Sequence, residues 1–270
     1  NSSFGGVISN GAGTVGFEKA GDGTLTFTED QLYTGNTIIS GGGVLALADG
    51  VSLASSLIKV GTYYGDVETK LDVTGLTGGF GVGSAQTLGG YGTVVGDVVI
   101  AGGATLSPGG SIGYITNDGN MTWGGGGNFL FEIYDPTGAG GGASYDWDAL
   151  QISGGLTITS GSANPFVIDM RTLANPGDNE AGFMPTWNGD SDYQWLFVLA
   201  GSEIASFSAD RFVFNTTNFK NEFGGEFSVA RGDTVGGNNN ELYIVYSPIP
   251  EPGTLALAGI GLAAIGWRLR

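Results

Sequence analysis

The sequence predicts an all-β protein, and two features of its composition carry that prediction. Glycine supplies 53 of the 270 residues, about a fifth of the chain against a usual share of roughly 7%. Aromatic residues reach 11%, whereas charged residues, among them the helix formers Glu, Lys and Arg, reach only 13%. Because glycine weakens helices and supplies the backbone angles of tight turns, we expect short strands joined by glycine turns.

The charged and reactive residues exclude several classes of function. Nine Lys and Arg against 26 Asp and Glu give a formal net charge of -17, so we expect no binding of nucleic acid. The sequence contains no His and no Cys, which removes Ser-His-Asp triads, thiolate nucleophiles and His- or Cys-ligated zinc. We therefore expect that the protein is not an enzyme and has no cofactor. No leader sequence precedes Asn1, so an export signal is either already removed or encoded upstream.

A repeated pattern runs from about residue 15 to residue 115, in which a glycine turn precedes a short run that alternates Thr or Val with Leu, Phe or Ile. The runs lie at residues 23–27, 43–47, 92–95 and 104–106. Leu25 and Leu45 are 20 positions apart, a spacing typical of one structural rung. The alternation places Leu25 and Phe27 on one face of a strand and Thr24 on the other.

Stacking of these rungs decides the predicted architecture of residues 1–115. A single rung cannot bury its apolar face, whereas parallel strands stacked about 4.8 Å apart form a continuous core. The pattern therefore favours a parallel β-helix of roughly four or five coils. A β-sandwich or jelly roll built from hairpins fits the same short strands and is the alternative.

Two segments resemble a known repeat family. Residues 19–27 and 33–45 contain Lys19, a Gly-x-Gly-Thr-Leu strand, a Tyr-Thr-Gly turn and a Gly-Gly-x-Leu strand, and they resemble the autotransporter-associated β-strand repeat. Residues 102–113 are similar to the Ser-Pro-Gly-x-Ser-Ile-Gly segment that closes such repeats, with Gly110 in place of the usual Asn. The resemblance implies a right-handed parallel β-helix (a solenoid) displayed outside the cell.

The segment 116–246 is predicted to be a more irregular β region, either a continuation of the β-helix or a β-sandwich-like cap. Two loop-rich stretches, 136–144 and 174–192, interrupt it. The strands that we expect in this half of the chain lie at 128–134, 150–158, 165–170, 194–199, 211–215 and 241–246.

The segment 247–270 differs from everything before it. A proline cluster precedes an apolar run at 255–267, which predicts a short hydrophobic helix. That helix would span roughly 20 Å, less than the approximately 30 Å of a bilayer core. Its apolar residues cover every side and basic residues follow it, so we expect residues 254–267 to enter the membrane before processing.

The same segment resembles the PEP-CTERM sorting signal of Gram-negative bacteria. The motif residues are Pro250, Glu251 and Pro252, and the terminal basic pair is Arg268 and Arg270. The resemblance implies an exosortase-type membrane protease as partner. It also implies export to the cell surface, the outer membrane or the extracellular matrix.

Acidic and basic residues supply only weak candidates for chemistry. Asp178, Glu180, Asp190 and Asp192 share one loop-rich stretch and are candidate calcium ligands. Asp146 and Asp148 flank Trp147, a pattern that could serve glycoside hydrolysis. The basic residues Lys59, Lys70 and Arg171 are expected to stand apart from any acidic cluster, unlike those of polysaccharide lyases.

Three functions fit these observations. The first is an exported structural or adhesion protein of a bacterial surface or exopolysaccharide matrix. The second is a carbohydrate-binding protein or degenerate polysaccharide lyase, for which we expect exposed aromatic residues such as Trp123, Trp147, Trp187 and Trp195. The third is a subunit of a fibre that binds further copies of itself, because the open ends of a β-helix expose strand edges.

Overall fold

The computed structural model describes residues 1–138 and 146–249, and it confirms that this part of the chain is all-β. Its only helices are two short 3-10 turns, Ala209–Arg211 and Gly232–Thr234. The first twelve strands are β1 (Ser2–Phe4), β2 (Phe17–Lys19), β3 (Thr24–Phe27), β4 (Thr37–Ile39), β5 (Val44–Leu47), β6 (Leu57–Val60), β7 (Lys70–Asp72), β8 (Phe80–Val82), β9 (Thr87–Gly90), β10 (Thr93–Val95), β11 (Val98–Ile100) and β12 (Thr105–Pro108). The remaining strands are β13 (Tyr114–Asp118), β14 (Met121–Trp123), β15 (Asn128–Ile133), β16 (Ala149–Ile152), β17 (Leu156–Ile158), β18 (Phe166–Thr172), β19 (Tyr193–Ala200), β20 (Phe212–Asn218), β21 (Gly225–Arg231) and β22 (Glu241–Pro248).

The strands form three sheets that the chain visits in turn. The first sheet has the order β1-β3-β5-β7-β10-β13-β16-β19-β22-β21, the second β2-β4-β6-β9-β12-β15-β18-β20, and the third β17-β14-β11-β8. Neighbouring strands pair in parallel, except that β22 pairs antiparallel with both β19 and β21. Strands from residues 1–115 and from 116–246 therefore belong to the same sheets.

The strand register confirms the spacing predicted for the first rungs. Leu25 pairs with Leu45, 20 positions later, and Leu71 pairs with Val94, 23 positions later. Ile115 pairs with Leu150, 35 positions later, because residues 134–148 separate β15 from β16 in that passage of the chain. Along β5, Leu45 is buried whereas Val44 is only partly buried, as the alternation predicts.

The core lies between the three sheets and is built from ladders of paired side chains. In the second sheet one such ladder is fully buried and consists of Ile58, Leu88, Leu106, Phe129 and Ile168. Later passages of the chain contribute larger side chains. Trp123 stacks on Phe166 with ring centroids 4.5 Å apart, for example. The C-terminal part of the core is therefore held mainly by aromatic packing.

Two predictions about strands were wrong. Residues 150–158 form two strands, β16 and β17, in different sheets. A corner separates them at Gly154, where a Cβ would stand 2.5 Å from the Gly119 carbonyl oxygen, so only glycine allows this turn. Strand β21 was not predicted. It lies at the edge of the first sheet, where much of it is exposed, so its sequence lacks the apolar pattern of a buried strand.

The end of the body lies two residues further along than predicted. Strand β22 continues through Ser247 to Pro248, which pairs with Gly225 of β21. Proline is acceptable there because the pairing of β22 with β19 ends at Tyr246, so at Pro248 one side of the strand is an open edge. The predicted helix at residues 255–267 lies outside the described residues. Residues 1–138 and 146–249 contain no helix with the length and hydropathy needed to span a membrane.

Candidate functional site

A cavity of about 180 Å³ opens on the outer face of the second sheet. Lys59 of β6 pairs with Gly89 of β9, which pairs with Ser107 of β12, so these three residues lie in one outward row. Glu132 of β15 and Arg171 of β18 line the far side of the same cavity. The stacked strands thus bring together residues that lie far apart in the sequence.

The floor of the cavity is made of glycine because the backbone segments approach too closely for side chains. Gly90 has a φ of 109°, and a Cβ there would stand 2.1 Å from the Val60 carbonyl oxygen. A Cβ on Gly89 would stand 2.3 Å from the carbonyl oxygen of Ser107. The outer surface of the sheet is therefore open at this point, and its walls are the longer side chains around it.

Glu132 and Arg171 form the ion pair of the cavity. They face each other in the register of β15 and β18, and Arg171 Nη1 donates to Glu132 Oε1 at 2.9 Å. The Glu132 side chain is only 4% exposed and that of Arg171 is 25% exposed. Burial raises the pKa of Glu132, and the guanidinium of Arg171 opposes that rise.

Asp148 lies fully buried next to this pair. Its Oδ1 accepts a hydrogen bond from the Gly113 amide at 2.8 Å, and its Oδ2 accepts one from the Glu132 amide at 2.9 Å. Burial raises the pKa of Asp148 well above its ordinary 3.8, and the charge of Glu132 raises it further. Two carboxyl groups thus share one arginine in a poorly solvated region.

The segment 107–113 connects the cavity to the loops around it. The Ser111 hydroxyl donates to the carbonyl oxygens of Pro176 and Asp178, at 2.9 and 2.7 Å. Gly113 carries the amide that binds Asp148, and a Cβ on Gly113 would stand 2.5 Å from Tyr91 Cε1. The glycine-rich segment singled out in the sequence is therefore the structural centre of this region.

Lys59 is the second basic residue of the cavity. Its side chain is partly buried, and its Nζ lies 2.8 Å from where a Cβ on Gly110 would stand. Within the part of the chain that the structure describes, this ammonium makes no hydrogen bond or ion pair. Lys19, in contrast, is buried and donates to the Gly21 carbonyl oxygen at 2.6 Å.

The expectation that the basic residues stand apart from any acidic cluster was wrong for Arg171, which pairs with Glu132 next to the buried Asp148. Lys59 and Arg171 line one cavity together with Glu132, while Lys70 lies on β7 in the first sheet. Sequence reasoning also missed Glu132. The sequence carried a signal for it, because an acidic residue inside the otherwise apolar run 129–133 is unusual in a strand unless a charged partner is buried beside it.

The four candidate calcium ligands have separate local environments. Asp178 Oδ2 accepts hydrogen bonds from the backbone and side-chain nitrogens of Asn175, both at 3.0 Å. Glu180, Asp190 and Asp192 are exposed. In residues 1–138 and 146–249, no three acidic side chains form a cluster that could hold a metal ion.

The tryptophans proposed as a sugar-binding surface are mostly in the core. Trp123 and Trp195 have no exposed surface and Trp147 is 5% exposed, so the prediction that they are exposed was wrong. Trp187 is partly buried and stacks on Tyr193. Since Asp148 is buried as well, Asp146 and Asp148 do not form an exposed carboxylate pair around Trp147.

The last described residues lead directly from the folded body into the C-terminal segment. The amide of Ile249 donates to the Gly224 carbonyl oxygen at 3.2 Å, one residue after the end of β22. Residues 248–270 match the family model of the PEP-CTERM protein-sorting motif. The tail is a sorting motif. This confirms the resemblance noted for the tail, although Pro250, Glu251, Pro252, Arg268 and Arg270 lie outside the described residues.

The PEP-CTERM motif establishes the route of the protein in outline. It indicates a bacterial protein that is exported and processed by an exosortase-type system, with a cell-surface or extracellular destination. A comparison of the chain with curated proteins finds no match. The autotransporter-associated repeat therefore stays a prediction, with which the parallel strand pairing is consistent.

Proposed function

We propose that the protein is a non-enzymatic structural or adhesion protein of the cell surface or extracellular matrix of a Gram-negative-type bacterium. Its body would be a right-handed parallel β-helix of the autotransporter-associated kind. The observation that carries this proposal is the direct connection between a long stack of parallel strands and the PEP-CTERM motif, which begins at the last residue of β22.

The architecture supports a display function. In the first sheet, eight parallel strands, β1 to β19, stack in one direction, and the hairpin β21–β22 adds antiparallel strands at the end that leads to the sorting motif. Such a stack is an elongated body in which each passage of the chain supports only its neighbours. A body of this kind would hold its outer loops at a distance from the surface to which the tail directs it.

The non-enzymatic part of the proposal rests on the sequence and on the buried carboxyl groups. The absence of His and Cys removes the commonest general bases and nucleophiles. Both oxygens of Asp148 accept backbone hydrogen bonds, which is the arrangement of a structural carboxyl group. Glu132 in turn binds Arg171.

A cell-based experiment tests the proposal. Cells would express the native chain, a Pro250→Ala, Glu251→Ala, Pro252→Ala variant, or a control with Pro185→Ala in an exposed loop. We expect the triple variant to lose most surface labelling and cell adhesion, whereas the control should keep both. Unchanged labelling would contradict the sorting function of these residues, and normal adhesion without surface labelling would contradict the adhesion function.

A further inference from the structure

We propose that the cavity between Lys59 and Arg171 binds the carboxylate of an acidic sugar residue, such as a uronate unit of a polysaccharide. This inference deepens the proposed surface function by naming a partner class, and it rests on that function only for its biological setting.

The ammonium of Lys59 is partly buried and has no partner among the residues that the structure describes. Partial burial removes water from a charged group and disfavours it unless an opposite charge or acceptor compensates. Lys19 shows this compensation, because its Nζ is bonded to backbone carbonyl oxygens. Lys59 has no such partner within the residues that the structure describes, so an anionic ligand would supply what the protein does not.

Arg171 supplies a second argument. Its hydrogen bonds to Glu132 and to the Asn179 carbonyl oxygen both use Nη1. Within residues 1–138 and 146–249, Nε and Nη2 make no hydrogen bond. A guanidinium presents its donors in a planar fork that matches a carboxylate, so these free donors are suited to a second carboxyl group.

The local charge balance favours an anion over a cation. Glu132 is the acidic residue that lines the cavity, against two basic residues, and its charge is already paired with Arg171. Asp148 lies behind Glu132, where burial favours its neutral form. The lining residues of the cavity therefore carry a net positive charge on a protein whose formal net charge is -17. Asp169, which also interacts electrostatically with Arg171, is outside that lining and accepts a hydrogen bond from Asn215. The overall negative charge would repel polyanions from the rest of the surface.

The size and lining of the cavity favour a ring-shaped ligand. A volume of about 180 Å³ compares with the roughly 150 Å³ of an engineered cavity that accepts benzene. The glycine floor carries no side chains, Leu57 and Leu130 supply apolar walls, and Ser107 supplies a hydroxyl. A sugar ring has an apolar face and polar edges, so one ring with one carboxylate fits both the volume and the chemistry.

The test uses the purified full-length chain and isothermal titration calorimetry. The probes are oligogalacturonate, its fully methyl-esterified form, and inorganic sulfate. The variants are Lys59→Gln and the matched control Lys70→Gln, which removes the same charge from the first sheet. We expect oligogalacturonate to bind, the ester not to bind, Lys59→Gln to weaken binding at least tenfold, and Lys70→Gln to change it less than twofold.

Several results would overturn the assignment. These are absence of oligogalacturonate binding at millimolar concentration, equal binding of the ester, equal affinity for sulfate, or equal effects of the two substitutions. Thermal unfolding of Lys59→Gln checks that the variant is folded. Because this assay needs no cells, its failure would leave the sorting and adhesion proposal standing, and failure of the cell experiment would leave the binding result unaffected.

Discussion

At the scale of single residues, burial determines the chemistry of the polar cluster beneath the cavity. Asp148 and Glu132 both have a raised pKa, and in both the largest cause is removal from water. The two backbone hydrogen bonds to Asp148 oppose this effect but are weaker causes. A proton that the folded state binds more tightly than the unfolded chain makes the free energy of unfolding depend on pH. We therefore expect Asp148 to contribute to the pH dependence of stability.

We predict that Asp148→Asn reduces the pH dependence of stability. In the native protein the contribution of Asp148 is fully present below about pH 4, near its unfolded pKa, and is lost as the pH rises through the raised folded value. Asparagine does not titrate, so the loss in free energy of unfolding caused by the substitution should be greatest near pH 4 and smaller at pH 8. That loss should be about 1–3 kcal/mol, because the side-chain NH2 of asparagine faces a backbone N–H and two donors cannot form a hydrogen bond.

Urea denaturation of both proteins at pH 4.5, 6 and 8 measures this dependence. Asp192→Asn, at an exposed position, is the control and should leave the native pH profile unchanged. Parallel profiles for the native protein and Asp148→Asn would show that the buried carboxyl group does not titrate differently in the folded state.

At the scale of elements, the hairpin β21–β22 determines how the sorting motif leaves the body. Strand β22 is paired on both sides, with β19 and with β21. The pairing with β19 ends at Tyr246, whereas the pairing with β21 persists to Pro248, and Ile249 adds one more hydrogen bond to Gly224. The motif residue Pro250 follows immediately. A protease that binds the motif in an extended conformation would therefore meet the end of a paired strand.

We predict that a flexible Gly-Ser-Gly-Ser insertion between Ile249 and Pro250 accelerates tail processing severalfold, because the motif no longer competes with strand pairing. Pulse-chase labelling followed by mass spectrometry of the C-terminus measures the rate. The same insertion after Gly236, in the loop before β22, is the control and should leave the rate unchanged. Equal rates for all three chains would mean that the hairpin does not limit access.

At the scale of the whole molecule, stacking places outward side chains of successive strands about 4.8 Å apart. No two acidic residues are directly paired in the strands that the structure describes, but 26 acidic against nine basic residues leave a large excess of negative charge over the molecule. Self-repulsion of this kind lowers the stability of the folded state and is screened by salt. The fold therefore has to tolerate a charge that also keeps it soluble.

We predict that raising NaCl from about 20 to about 300 mM at pH 7 increases the melting temperature by a few degrees. For a domain of this size, each kcal/mol of stabilisation raises it by about 2–4 °C, and the Debye length falls below roughly 10 Å above 0.1 M salt. Differential scanning calorimetry measures the shift. Near pH 4, where most of the net charge is neutralised, the same salt should have little effect, and an equal shift at both pH values would contradict the explanation.

Local sequence patterns predicted much of the fold because strand alternation and glycine turns are local properties. The pairing of Leu25 with Leu45 followed from a repeat spacing alone. The division of residues 150–158 into two strands did not follow from the sequence, because a glycine at a corner between strands and a glycine inside a strand look alike there. The candidate cavity was not predicted either, although Lys59 and Arg171 were both noted as isolated basic residues.

By itself, the sequence determined the β-rich class, the burial alternation along strands such as β5, and the sorting motif at 248–270. Each of these depends on neighbours within about twenty positions. Only the tertiary structure decided that Lys59 and Arg171 share one cavity with Glu132. The passages of the chain between them have unequal lengths, so their outward side chains become neighbours only when the strands are stacked and their register is set.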